Sequence, residues 1–238
     1  MPSCDGDGTV RVVSLVPSVT ETLLAWGVVP VGVTRYCEQP SLRAVGGTKD
    51  PDIAAVAELR PDVVVLNDEE NRLEDAEALR ERGLPVHVLT IDSVDDVAPA
   101  LAGLRARMGL PPAATASLPV PAPRRLRAFV PVWRRPWITM HGRTYGSSLL
   151  ARLGVVNVFA DEAERYPTVT LEEAAARAPD VVLAPSEPYP FTERQRPELE
   201  AVAPFVPVDG QDLFWWGSRT PAALGRLAAA LSSLRPGG

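Results

Sequence analysis

Near the carboxyl end of this 238-residue chain, Asp-Leu-Phe-Trp-Trp-Gly-Ser-Arg-Thr-Pro at 212–221 sets Phe214, Trp215 and Trp216 side by side, against Gly217 and Arg219. A half-buried strand alternates apolar with polar residues, so three adjacent rings belong on a loop that sends neighbours to different sides. One of Trp215 and Trp216 is expected to face a ligand and the other to pack beneath, with Gly217 permitting the turn that brings Arg219 near. A second loop, Pro-Ser-Glu-Pro-Tyr-Pro-Phe at 185–191, is stiffened by three prolines. It presents Tyr189 and Phe191 at low entropic cost, as a recognition surface of rigid aromatics requires.

Bond-making chemistry finds less support. The chain has two histidines and two cysteines. His87 lies in Pro-Val-His-Val-Leu-Thr, a strand pattern that suits a core histidine; His141, in Met-His-Gly-Arg-Thr-Tyr-Gly, is better placed. Cys37 is either a small apolar filler or, paired with His141, a nucleophile with its base. The segment Gly-Gly-Thr-Lys-Asp at 46–50 lacks phosphate-loop spacing, and neither GxSxG nor HExxH occurs. A bare transition-metal ion needs several His, Cys or carboxylate ligands, so none is expected; a chelated metal, recognised through its organic framework, needs no such cluster.

Short apolar runs alternate with helical patterns along the chain. Strands are predicted at 10–16, 30–34, 61–67 and 85–90, and helices at 18–27, 50–60, 74–83 and 94–109. Ser18 is the expected N-cap of the first helix, with Glu21 completing a capping box and Gly27 closing it. Strand and helix in alternation imply an α/β fold with parallel sheets. The pattern is then repeated: Asp-Ile-Ala-Ala-Val-Ala-Glu-Leu-Arg-Pro-Asp-Val-Val-Val-Leu-Asn from 52 aligns with the segment from 170 at a constant offset of 118, pairing Glu69 with Glu187. Two similar lobes follow, at 10–93 and 126–238. Between them, 94–125 holds a helix and then a segment with prolines at 111, 112, 119, 121 and 123, which reads as extended linker.

Ligands of parallel sheets sit at the carboxyl ends of the strands. That rule selects the loops 16–20, 34–40 and 67–72 in the first lobe, and 140–146, 185–191 and 209–219 in the second. Asn-Asp-Glu-Glu-Asn-Arg at 67–72 is either a solvated turn or, because the repeat sets Glu69 against Glu187, one of two matched carboxylates.

A net charge of −6 gives no field to gather nucleic acid or anionic lipid. No apolar run reaches the roughly 18 residues of a membrane span, and no basic and then apolar leader precedes the first strand. As written the chain reads as cytoplasmic, or as extracytoplasmic if its true start lies upstream.

Taken together, RVVSLVPSVTETLLAWG, VGVTRYC, VGGTKDPDIAAVAELRPDVVVLNDEENR, YGSSLLARLGVVNVFAD, LEEAAARAPDVVLAPSEPYPF and DLFWWGSRTP resemble the cobalamin-binding proteins of the helical-backbone metal receptor superfamily, the substrate-binding proteins of ABC importers. The resemblance runs over about residues 11–225. It implies two Rossmann-like lobes, a substrate-binding-protein architecture, and a corrinoid or related metal chelate held without catalysis in the cleft between them. It further implies that Tyr36, Asn67, Glu69, Tyr145, Tyr189, Trp215 and Trp216 meet the ligand, with Arg219 facing an amide or acidic group. Cys37, His141 and Phe191 complete the ligand candidates. Glu69, Glu74, Glu187 and Glu193 become candidates for docking to an ABC permease. The connecting segment departs from the family's long helix, being shorter and Pro-rich. The alternative is a cytosolic enzyme or cofactor-handling protein on the same scaffold, with Cys37 and His141 as its reactive pair.

Overall fold

A computed structural model of the chain describes residues 10–112, 118, 126–232 and 234. They fall into two compact units, one drawn from Met1–Ile91 and Asp96–Thr115, the other from Asp92–Asp95 and Ala116–Gly238. Most of the Pro-rich connection expected at 110–125 lies outside the described residues.

The first unit runs β1 (Val12–Ser14), α1 (Pro17–Ala25), β2 (Gly32–Val33), α2 (Ile53–Glu58), β3 (Val63–Asn67), α3 (Leu73–Glu81) and β4 (Val86–Leu89), and then most of α4 (Val94–Arg107). Its sheet has the order β2-β1-β3-β4, and every pairing is parallel. All five residues of β3 are buried, as a parallel strand covered on both faces requires. Val13, Leu15, Val64, Leu66 and Leu79 form the centre of one core cluster. Burying each such side chain contributes about 1.5–3 kcal/mol.

The second unit runs β5 (Leu126–Phe129), β6 (Trp137–Ile138), α5 (Tyr145–Arg152), β7 (Val155–Asn157), β8 (Thr168–Val169), α6 (Leu171–Ala176), β9 (Val181–Pro185), α7 (Arg196–Glu200), β10 (Phe205–Val208), α8 (Gly210–Phe214) and α9 (Thr220–Leu231). Its main sheet, β10-β9-β5-β7, is parallel throughout, and β6 pairs antiparallel with β8. Phe129 and Phe159, with ring centroids 5.7 Å apart, anchor its core. The expected α/β class with parallel sheets in two lobes is therefore found.

The repeat is structural as well as sequential. Helix α2 and strand β3 lie 118 residues before α6 and β9, end for end. Val12 pairs with Val63 in one sheet as Ala128 pairs with Val181 in the other. Arg11 donates its backbone N–H to Asp62 (2.8 Å) and its guanidinium to the Leu59 carbonyl (2.6 Å). Arg127 does the same with Asp180 (2.7 Å) and the Arg177 carbonyl (2.6 Å). In both places the turn being clamped holds a non-glycine residue at positive φ, Arg60 at 43° and Ala178 at 47°. Such backbone is costly without support, and the arginine supplies the support.

One expectation fails locally. Helix α1 begins at Pro17, its N-cap is Val16, and no side chain caps it. Proline's fixed φ suits the first helical position, so the helix starts before Ser18, which sits inside it and not at the cap. In the matching place of the repeat, Thr144 does cap α5, its hydroxyl accepting from the Ser147 amide; a full capping box, Thr170 with Glu173, opens α6, the counterpart of α2.

Candidate functional site

In the first unit, the loops at the carboxyl ends of the strands are knitted by asparagines. Asn67 is buried; its Nδ2 donates to the Leu89 carbonyl (3.1 Å), and its Oδ1 accepts from the amides of Glu69 (3.1 Å) and Glu70 (3.2 Å). Asn71 accepts from the Asn67 amide and donates to the carbonyls of Leu15 and Thr48. Asn67 thus shapes the loop, and its side-chain amide is used in doing so. Asp68 accepts from the Thr90 hydroxyl, and Glu69 is half-buried. The segment 67–72 is an organised turn, which its charge-rich composition did not disclose.

Cys37 is buried, with Sγ 3.2 Å from the Thr20 hydroxyl and 3.3 Å from that of Thr34. Two hydroxyls surround the sulfur, and neither is a base of the kind a nucleophilic thiol requires. Tyr36 beside it is 54% exposed, with the Arg35 guanidinium 5.0 Å from its ring centre. Arg35 is itself held by Asp50 (2.8 Å). Glu74 stands exposed in the first turn of α3, where the helix dipole favours an acid.

The second unit carries most of the aromatic surface. Between β5 and α5 the chain inserts residues 130–144, whereas β1 reaches α1 through Leu15 and Val16 alone. That insertion supplies Trp133 and Trp137. Trp133, 44% exposed, meets Tyr189 edge-on (5.6 Å); Tyr189 packs on Phe191 (4.8 Å), and Phe191 stacks on Trp137 (6.0 Å, 10° between planes). Arg134 lies over Trp137 and pairs with Glu198 (2.8 Å). The four rings descend from a solvent-facing indole to Phe191, which belongs to the core. Phe191 is the buried anchor of this ladder, and Tyr189 and Trp133 are its accessible end. Sequence reasoning passed over Trp133 and Trp137, although two tryptophans flanking Arg-Arg-Pro just after a strand could have flagged them.

The loops after β9 and β10 touch directly. Gly210 donates its N–H to Ser186 Oγ (2.9 Å), and a Cβ on Gly210 would come within 2.5 Å of the Glu187 nitrogen, so only glycine fits there. Glu187, half-buried, is therefore pressed against the start of α8. Glu193 is exposed and bridged to Arg196, whose guanidinium holds its carboxyl below the usual range.

Beyond α8 the adjacent tryptophans divide. Trp216 is buried, while Trp215 is half-buried with the Arg219 guanidinium 5.2 Å from its ring centre. Gly217, at φ 125°, makes the turn between them and Arg219. Tyr145, at the first position of α5, is buried, and its hydroxyl meets that of Thr220 at 2.9 Å. Burial pushes its pKa up to about 12. Its phenol is thus a neutral hydrogen-bonding group inside the unit.

His141 is 8% exposed, and its Nε2 is buried with no hydrogen-bond partner among the described residues. Its main chain is well tied, N–H to the Arg165 carbonyl and C=O to the hydroxyls of Thr144 and Ser147. Burial, then the nearby Arg165 and Arg143, lower the pKa of its ring; Asp92 opposes them. The described residues include no group of three or more His, Cys, Asp or Glu able to hold a metal ion. No helix among them is long and apolar enough to cross a membrane.

No family model matches the chain. Among curated proteins it is similar to the vitamin B12-binding protein of Vibrio parahaemolyticus, 25% identical over 190 residues that cover 72% of this chain and 69% of that one. Among solved structures it is similar to the periplasmic vitamin B12-binding protein BtuF of Vibrio cholerae, with a TM-score of 0.73 at 20% identity, covering 93% of this chain and 96% of the other. It is also similar to a periplasmic haem-binding protein from Pseudomonas aeruginosa, with a TM-score of 0.74 at 20% identity, covering 96% and 95%. The resemblance to cobalamin-binding receptors seen in the sequence is borne out by these relatives.

Proposed function

We propose that this relative of the vitamin B12-binding proteins is a substrate-binding protein that holds a metal chelate, a corrinoid or a close analogue, and presents it to an ABC permease. The observation that carries the reading is the aromatic surface of the second unit. Trp133 and Tyr189 face outward from a ladder rooted in the core, and Trp215 stands under Arg219 at the same sheet's carboxyl end. Rigid rings with one apolar face and few rotatable bonds bind a large flat ligand at low entropic cost. The chelate supplies the metal and its ligands; the protein supplies stacking, a guanidinium and shape.

In the second unit the proposed ligand contacts are Trp133, Tyr189, Trp215 and Arg219; in the first they are Tyr36 and Glu69. Cys37, Asn67, Tyr145, Phe191 and Trp216 support the loops from within. Glu74 and Glu193 are the exposed acids proposed to meet basic groups on the permease. We place the protein outside the cytoplasm, because the structural relatives from Vibrio cholerae and Pseudomonas aeruginosa are described as periplasmic. The cytoplasmic location expected from the sequence finds no support among the relatives.

Titration with cyanocobalamin and, separately, with haemin, followed by tryptophan fluorescence and the ligand's own absorbance, tests the proposal. Saturable one-to-one quenching at micromolar ligand by either compound is expected, with cyanocobalamin the tighter. Absence of saturation with both would overturn the reading. Tighter binding of haemin would replace the corrinoid by a porphyrin and leave the chelate class standing.

A further inference from the structure

The aromatic-arginine end of the second unit is organised around an acid that composition alone does not distinguish. Asp212 lies in the first turn of α8 and is 1% exposed. A buried carboxylate is costly unless closely paired, by several kcal/mol in principle. Asp212 is paired with Arg226, which reaches it from α9 through Nε (2.6 Å) and Nη2 (2.5 Å), the two-pronged geometry that suits a carboxylate. Arg226 is 55% exposed and reaches α8 from the surface of α9.

A second guanidinium is drawn to the same acid. Arg219 Nη1 stands 3.6 Å from Asp212, outside hydrogen-bond reach but within strong Coulombic range in a buried setting. Its other nitrogen, Nη2, donates to Gln211 Oε1 (3.1 Å), and its central carbon lies 5.2 Å from the centre of the Trp215 ring. With the bidentate position taken by Arg226, Arg219 is attracted to Asp212 yet kept from collapsing onto it. Arg219 lies over the indole face, where a cation is favoured by the ring's negative potential. Thr220, next in sequence, accepts the Gly217 amide and meets the Tyr145 hydroxyl, fixing the backbone from which Arg219 projects.

We propose that Asp212 is a positioning residue for the ligand surface: through Arg226 it is locked in place, and from there it holds Arg219 over Trp215. The inference rests on the reading that Trp215 and Arg219 meet the ligand. Its consequence is that the indole is presented in one orientation before binding, and a group ordered beforehand costs less to use.

The test compares Asp212→Asn, Arg219→Gln and the double variant, each checked for thermal unfolding. Two readouts separate positioning from stability. The first needs no ligand: the Nε proton of Arg219 is shifted by the ring current of Trp215, and in Asp212→Asn that shift is expected to collapse. The second is the dissociation constant for cyanocobalamin or haemin. Asp212→Asn is expected to weaken it about tenfold, or about 1.4 kcal/mol, and to have no further effect once Arg219→Gln is present.

If Asp212→Asn lowers the melting temperature while the Arg219 resonance and the affinity stay put, Asp212 is only a fold anchor and the proposal is overturned. Additive losses in the double variant overturn it as well. Should Asp212→Asn fail to fold, Arg226→Gln replaces it. Releasing Asp212 lets Arg219 close on the carboxylate, and the same loss of ring-current shift and affinity is expected. Wild-type protein that takes up neither probe overturns the binding reading by itself; the resonance then decides alone whether Asp212 holds Arg219.

Discussion

At the amino ends of their sheets the two units are built alike, and at the carboxyl ends they part. Arg11 with Asp62, and Arg127 with Asp180, make the same bonds to the same turn. Past the strands, the first unit spends Asn67 and Asn71 on tight polar loops, whereas the second opens a long insertion and lines it with indoles. Holding a turn against strain is a task with one good solution, so both halves keep it. Recognition has no such constraint, and the loops there are free to differ in length and chemistry.

The sharpest way to probe this contrast is to remove one exposed ring from each unit. Trp133→Ala is expected to cost about 2 kcal/mol of ligand binding, roughly thirtyfold in Kd, as truncating a pre-packed tryptophan at a binding surface typically does. Tyr36→Ala should cost clearly less, because Tyr36 leans on the exposed Arg35 while Trp133 is steadied by Tyr189. Cyanocobalamin titrations of the two variants decide it. Equal losses would mean that the added packing of Trp133 makes no difference to binding.

The shared end is tested by stability. Asp62→Ala and Asp180→Ala each remove the acceptor of an arginine amide at a strained turn, and each is expected to cost about 1 kcal/mol in urea unfolding. A large difference between them would show that the clamps are alike in geometry but not in energy.

The smallest expected effect is on pH dependence. Each unit has one histidine whose pKa is lowered from the ordinary value of 6.5, His87 by burial and then Arg107, His141 by burial and then Arg165 and Arg143. A histidine that resists protonation when folded lets the unfolded chain bind more protons. Its contribution to stability is complete above about pH 6.5 and is lost as pH falls from there through the lowered folded value. Unfolding midpoints of wild type and His141→Asn between about pH 7.5 and pH 5 should converge at the acid end.

Much of this was legible in the sequence. The offset of 118 residues places α2 on α6 and β3 on β9, because the apolar run and the Pro-Asp before it are local signals that survive in both copies. What local signals do not carry is direction. Phe191 and Tyr189 share one loop, yet one joins the core and the other faces outward; Trp216 and Trp215 divide in the same way. Asn67 and Tyr145 turned inward because partners distant in sequence, Leu89 and Thr220, hydrogen-bond with them there. Trp133 was missed because no periodicity marks a ring in an insertion, and Asp212 because its meaning lies in two arginines further along the chain, Arg219 and Arg226.

The paired clamps have a consequence for how such a chain can be altered. Each one fastens the backbone where β1 or β5 enters its sheet, at the end away from the loops proposed to meet the ligand. The exposed positions of segments 130–144 and 209–219 can then be varied, with buried anchors such as Met140, Thr144, Gly210 and Asp212 kept, while the strands that carry them keep register. A library built on those two stretches would sample new cargo on an unmoving chassis.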